Sequence, residues 1–255
     1  KNKDEDTLHY YLAQLGEAQK DDLGALKHYR QVNGGEHVYP SRLREAYLLN
    51  KSGKLDEARK VLNRIVAKDD TQRVQLLMIE SQFLRDAKLF GESFKILARG
   101  LEKFPDQPEL LYQSALIADK LDKPDTFEQL IRSLIKVEPD NAHSYNALGY
   151  SWLERNIRIP EAMELVEKAY KLAPDDSAII DSMGWGYFRL GQLDKSLLFL
   201  RRAYQANSDP EIAAHLGEVM WASGDREGAQ KVWNDSALAN PDNATLQAVI
   251  KRFSK

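Results

Sequence analysis

An all-α solenoid of repeated helix–turn–helix units is predicted by three observations. A proline marker returns every 33 to 35 residues, small residues recur at fixed distances from it, and the apolar positions between them follow a helical period. Pro105, Pro139 and Pro174 stand 34 and 35 residues apart, and Ser208 and Pro241 continue the series. Gly149, Gly184 and Gly217 fall nine or ten residues after a marker, with Ser81 and Ala115 in that slot earlier. Twelve residues before each marker stands a small residue, at Ala25, Ala58, Ser93, Ala162, Ser196 and Ala229; Phe127 alone breaks this series. A third small slot, seven later, reads Gly100, Ala169, Ala203 and Ser236. Two antiparallel helices approach closely only where side chains are nearly absent, so these slots read as helix crossings.

The spacing divides the chain into seven units, about 6–38, 39–72, 73–107, 108–141, 142–176, 177–209 and 210–243, followed by a capping helix at 244–253, all within one domain over 1–255. The first unit fits least well, because Gly16 fills a slot that normally holds a large residue. In the fifth, Tyr145, Leu148, Gly149 and Trp152 recur at i, i+3, i+4 and i+7, one face of an amphipathic helix. Its second helix opens at Pro160, which suits a first turn, after one extra residue, and carries Met163, Val166, Ala169 and Tyr170 on one side. Leu172-Ala173-Pro174-Asp175-Asp176 stops that helix and caps the next. The sixth and seventh units turn at Leu190-Gly191-Gln192 and Ser223-Gly224-Asp225, where glycine fits a left-handed C-terminal position.

A helix–turn–helix unit of about 34 residues with small, small, aromatic and proline slots resembles the tetratricopeptide repeat, over nearly the whole chain. The resemblance implies an elongated right-handed α-solenoid whose first helices line a concave groove, and protein binding as its function. Pentatricopeptide and half-a-tetratricopeptide units, both RNA-associated, share the length. Charge balance and the glycine–alanine slots speak against them.

The 255 residues include 36 basic and 39 acidic ones, a net charge of −3, and no cysteine. Neither half carries a basic excess, which disfavours nucleic acid and anionic lipid as partners. Without cysteine there is no disulfide, thiolate zinc site or cysteine nucleophile. No apolar run is long enough to span a bilayer. The polar opening, Lys1-Asn2-Lys3-Asp4-Glu5-Asp6, has no initiator methionine and reads as an excised fragment, with any signal peptide or lipid anchor upstream.

Local chemistry is sparse. The five histidines, His9, His28, His37, His143 and His215, form no His-Glu-x-x-His run or i, i+4 pair, and each reads as a surface or partly packed side chain. Gly184-x-Gly186 lacks the strand and third glycine of a dinucleotide fingerprint, and neither a phosphate-binding loop nor a nucleophile elbow occurs. Asp21-Asp22, Asp69-Asp70 and Asp175-Asp176 lie at helix starts, where acidic caps belong. The expectation is a non-enzyme without cofactor, metal or catalytic residue.

Function is expected in the groove. Carrying the family's groove slots onto this sequence selects Tyr112 in the fourth unit and Asn146, Tyr150 and Leu153 in the fifth. Asp181, Trp185, Phe188 and Arg189 follow in the sixth, and Glu218 and Trp221 in the seventh. Trp152 and Trp233 occupy packing slots, whereas Trp185 and Trp221, beside Tyr150 and Phe188, read as exposed aromatics that would bind protein. The lysine–asparagine carboxylate clamp of peptide-binding members is missing; Asn50, Lys51, Arg85, Lys120 and Asn146 are scattered. The asparagine ladder of glycosyltransferase superhelices is missing too, so recognition of a folded or helical partner is expected.

Ala178–Tyr187 and Asp209–Trp221 resemble the C-terminal part of bacterial envelope tetratricopeptide lipoproteins, some of which are adaptors for a C-terminal processing protease. That resemblance implies a bacterial, periplasmic protein whose partner is a protease or an envelope assembly factor, touching the membrane only through a missing N-terminal anchor. A targeting or regulatory arm of a larger enzyme, and self-association through 244–253, are the alternatives.

Overall fold

The computed structural model describes residues 3–253, and among these are fifteen α-helices and no β-strand. The chain separates into two compact units, the division falling after Phe127. The first holds α1 (Lys3–Ala18), α2 (Asp22–Gln31), α3 (Val38–Lys51), α4 (Leu55–Leu62), α5 (Asp70–Asp86), α6 (Phe90–Lys103) and α7 (Pro108–Lys120). Helix α8 (Pro124–Val137) runs across the division. The second holds α9 (Ala142–Glu154), α10 (Ile159–Leu172), α11 (Ser177–Arg189), α12 (Leu193–Ala206), α13 (Pro210–Ala222), α14 (Arg226–Ala239) and α15 (Ala244–Phe253). Fourteen helices precede α15, which covers 244–253, and α1, α3 and α5 begin at 3, 38 and 70.

Caps form at the expected acidic pairs and at three further positions. Side chains of Asp21, Asp69 and Asp176, and also of Asn141, Asp209 and Asp225, each accept a backbone N–H of the following first turn. Such bonds satisfy donors that the helix itself leaves unpaired. Seven hairpin turns each pass through a left-handed residue, at Lys20, Gly53, Lys88, Asp122, Asn156, Gly191 and Gly224, and the α9–α10 turn has a second at Arg158. Only three of these seven are glycine, so the turn geometry recurs more regularly than the residue that favours it.

The small slots meet as their spacing requires. Ser81 and Ser93 touch hydroxyl to hydroxyl at 2.8 Å across the α5–α6 crossing. A Cβ on Gly149 would sit 2.9 Å from the Ala162 carbonyl, and one on Gly217 would sit 2.0 Å from the Trp233 ring nitrogen. Gly16, the poor match in the first unit, has the same reason: a Cβ there would stand 3.1 Å from the Ala25 backbone.

Candidate protein-binding groove

The first helices α9, α11 and α13 lie side by side in the second unit, α11 touching both others. Residues one repeat apart in sequence become lateral neighbours, and the site is built from such pairs. Asp181 on α11 and His215 on α13, 34 residues apart, are both buried, and His215 Nδ1–H donates to the Asp181 carboxylate at 2.9 Å. On the other side of the imidazole, Nε2 lies 3.4 Å from the Tyr150 hydroxyl and 3.8 Å from a Glu154 carboxylate oxygen, both on α9. One imidazole therefore links three consecutive first helices.

Burial alone would push the His215 pKa down; the Asp181 charge and hydrogen bond, with Glu154 and Glu218, more than reverse this and hold it above its ordinary value. Tyr150 is pushed up, first by burial and then by the carboxylates of Glu154, Asp181 and Glu211. It is thus a neutral phenol, capable of donating a hydrogen bond and unsuited to act as a phenolate nucleophile.

Trp185 does not stand exposed in a groove as its slot predicts. Its indole stacks on the His215 ring at 4.2 Å between centroids, Arg189 lies 4.6 Å over it, Phe188 packs at 5.1 Å, and 3% of the residue remains exposed. Leu153 is fully buried and lies against Gly186, and Asp181 is spent on His215. These three belong to the packing beneath the groove, because the next repeat supplies a partner for each slot. The indole N–H of Trp185, the amide oxygen of Asn146 and Nε of Arg189 are buried without a hydrogen-bond partner. Asn146, Tyr150, Phe188 and Arg189 keep part of their surface open.

In the last repeat the predicted residues meet the chain's own C-terminal helix. Phe253 of α15 packs on Trp221 at 5.3 Å and on Trp233 at 5.2 Å, and Arg252 pairs with Glu218. Trp152 and Trp233 occupy packing positions as predicted, donating to Glu128 and to the Ala214 carbonyl. Tyr112 is exposed on α7 in the first unit, with Leu116 exposed one turn later.

The sequence reading missed His215 and Glu154, treating His215 as a surface or partly packed histidine. The available signal was a separation from Asp181 equal to the repeat length. It also missed two open cavities, of about 530 and 820 Å³, flanking Ile65 and Val66. They lie where α4 stops after eight residues while α6, α10, α12 and α14 each run to fourteen.

No family model matches the chain. It is 40% identical over 213 residues, 84% of its length, to the TPR repeat-containing protein PA4667 of Pseudomonas aeruginosa, and the match spans 36% of that relative. Among solved structures, a tetratricopeptide repeat protein from Parabacteroides merdae superposes with a TM-score of 0.72 over 97% of this chain and 98% of that one, at 13% identity. The thermophilic TPR protein TTC0263 of Thermus thermophilus gives 0.59 over 71% of this chain and 96% of that one, at 20% identity. YrrB, described as a TPR protein with an unusual peptide-binding site, gives 0.54 over 70% and 91%, at 15% identity. The helix pairs, the small-residue crossings, the Pseudomonas relative and these folds agree: this chain is a tetratricopeptide repeat protein.

Proposed function

We propose that the chain is a non-enzymatic scaffold that holds a segment of another protein across α9, α11 and α13. Proteins of this repeat are in general protein-interaction scaffolds. The observation that carries the placement is the buried Asp181–His215–Tyr150 link, which fixes three adjacent first helices while leaving Asn146, Tyr150, Phe188 and Arg189 partly open. A surface held rigid before binding loses little entropy when a partner docks. The open residues mix an amide, a phenol, a phenyl ring and a guanidinium, which suits a peptide chain offering both backbone groups and an apolar side chain. The peptide-binding site named for YrrB supports a partner of this kind.

The test begins with the partner captured from a lysate of the source organism and identified by mass spectrometry. Its affinity is then measured for the wild type and for an Asn146→Ala/Phe188→Ala variant. At least tenfold weaker binding, about 1.4 kcal/mol, with an unchanged helical circular dichroism spectrum, supports the site. Equal affinity rejects it. A partner identified as a C-terminal processing protease would bear on the adaptor reading, which rests on the resemblance of Ala178–Tyr187 and Asp209–Trp221 to envelope lipoproteins. The chain spans about a third of its Pseudomonas relative. A catalytic domain elsewhere in the full reading frame would favour the targeting-arm reading instead.

A further inference from the structure

We infer that His9 and His28 form a two-imidazole clamp for a divalent d-block ion, of which zinc and nickel are the probes of choice. His9 stands in the middle of α1 and His28 in the last turn of α2, both half-buried on the hairpin these helices form. The rings meet nitrogen to nitrogen: Nδ1 of one lies 3.0 Å from Nδ1 of the other, with centroids 5.2 Å apart and planes inclined by 33°.

Two ring nitrogens approach this closely only if one carries a proton and the other presents a bare lone pair, since two N–H groups or two lone pairs repel. One ring nitrogen therefore already presents its lone pair towards the other ring. The second becomes available when the proton on the donor ring moves from Nδ1 to Nε2, a tautomer change that takes no proton from the protein. Metal–nitrogen bonds of about 2.0–2.1 Å, meeting at roughly 90–110°, hold the two nitrogens about 2.9–3.4 Å apart. The observed separation lies inside that range, so occupancy needs a tilt of the rings and no movement of the helices.

The donor set defines the ion. Two neutral imidazoles suit zinc, nickel or copper, whereas magnesium and calcium require oxygen ligands. Two neighbouring side chains are engaged elsewhere. Asp6, one turn before His9, accepts the Asn33 amide at 2.8 Å, and His37 stacks on Tyr10 at 4.4 Å. Among the described residues no group of three or more His, Cys, Asp and Glu side chains converges. The remaining coordination positions therefore belong to water or a small anion, and the bound ion would act as a staple across the first hairpin.

The full chain, freed of metal with a chelator, is titrated with nickel chloride, zinc chloride and magnesium chloride at pH 7.5, followed by calorimetry and thermal unfolding. The expected result is one equivalent of nickel or zinc bound, a Tm rise of several degrees, and no response to magnesium. Binding is lost in His9→Gln and in His28→Gln, and kept in His143→Gln. No saturable binding by the wild type, or equal binding by the His9 and His28 variants, overturns the inference. Should either variant lose its helical circular dichroism, nitrogen-15 spectra of the wild-type imidazoles decide. Metal-dependent shifts confined to His9 and His28 support the clamp, and shifts confined to other histidines refute it.

Discussion

His215 donates its Nδ1 proton to the Asp181 carboxylate at 2.9 Å, inside the helix stack and beneath the indole of Trp185. Burial, the largest single influence, lowers the affinity of His215 for its second proton, but the Asp181 charge and hydrogen bond, with Glu154 and Glu218, together outweigh it, so its folded-state pKa lies above the unfolded value. A raised folded pKa stabilises fully below the unfolded value of about 6.5, and the contribution is lost as pH rises through the folded value. The second unit is therefore expected to resist urea better at pH 6 than at pH 9. All four tryptophans follow Phe127, so their emission reports this unit alone. His215→Asn should flatten the difference; an undiminished pH slope in that variant would remove His215 as its cause.

Removing only the carboxylate should harm the fold more than removing the pair. Asp181→Ala leaves the buried imidazole without its hydrogen-bonded carboxylate, with only the more distant Glu154 and Glu218 beside it, and breaking such a pair costs about 3–5 kcal/mol. The double variant Asp181→Ala/His215→Leu removes the stranded imidazole and should recover part of that loss. Trp185→Ala should cost a similar amount, about 3–5 kcal/mol, by opening a cavity under Arg189. Urea midpoints for the single and double variants provide the check, and a strictly additive double variant would show that the two groups do not act together.

Much of this architecture can be read from spacing, because a solenoid writes the same instruction seven times. The crossings at Ser81 and Ser93, at Gly149 and at Gly217 stand where small residues recur. Exposure is another matter, since it depends on the following repeat. The slot of Trp185 points towards the groove, but His215 from α13 and Arg189 one turn along its own helix cover the indole. A list of slots within one unit does not contain that information. Pairing residues one repeat length apart does, and it is the step that joins Asp181 to His215.

The turns offer a prediction that contacts alone would miss. Lys88 adopts φ +60° in the same left-handed position that Gly191 holds at φ +74°. A residue with a Cβ carries strain of roughly 1–2 kcal/mol there, partly offset because glycine has more freedom to lose on folding. Lys88→Gly should raise stability by about 0.5–1 kcal/mol, and Gly191→Ala should lower it by a comparable amount. Gly191 has no neighbour within 4 Å of an added Cβ, so its loss would report backbone strain and no clash. Urea midpoints moving in the same direction in both variants would contradict the assignment.

Ending the chain at Asn243 should uncover the last repeat. Helix α15 buries Leu246 and Val249, lays Phe253 against Trp221 and Trp233, and pairs Arg252 with Glu218. Each buried aliphatic side chain stabilises by about 1.5–3 kcal/mol, so the second unit should lose several kcal/mol when both are removed. Trp221 and Trp233 would then meet water, and emission should shift to longer wavelength. The uncovered apolar face also favours association, so light scattering should show a concentration-dependent increase in mass. If the intact chain dimerises and the shortened one dimerises equally, α15 is excluded as the interface. An unshifted emission maximum in the shortened chain would mean that α15 does not shield the two indoles.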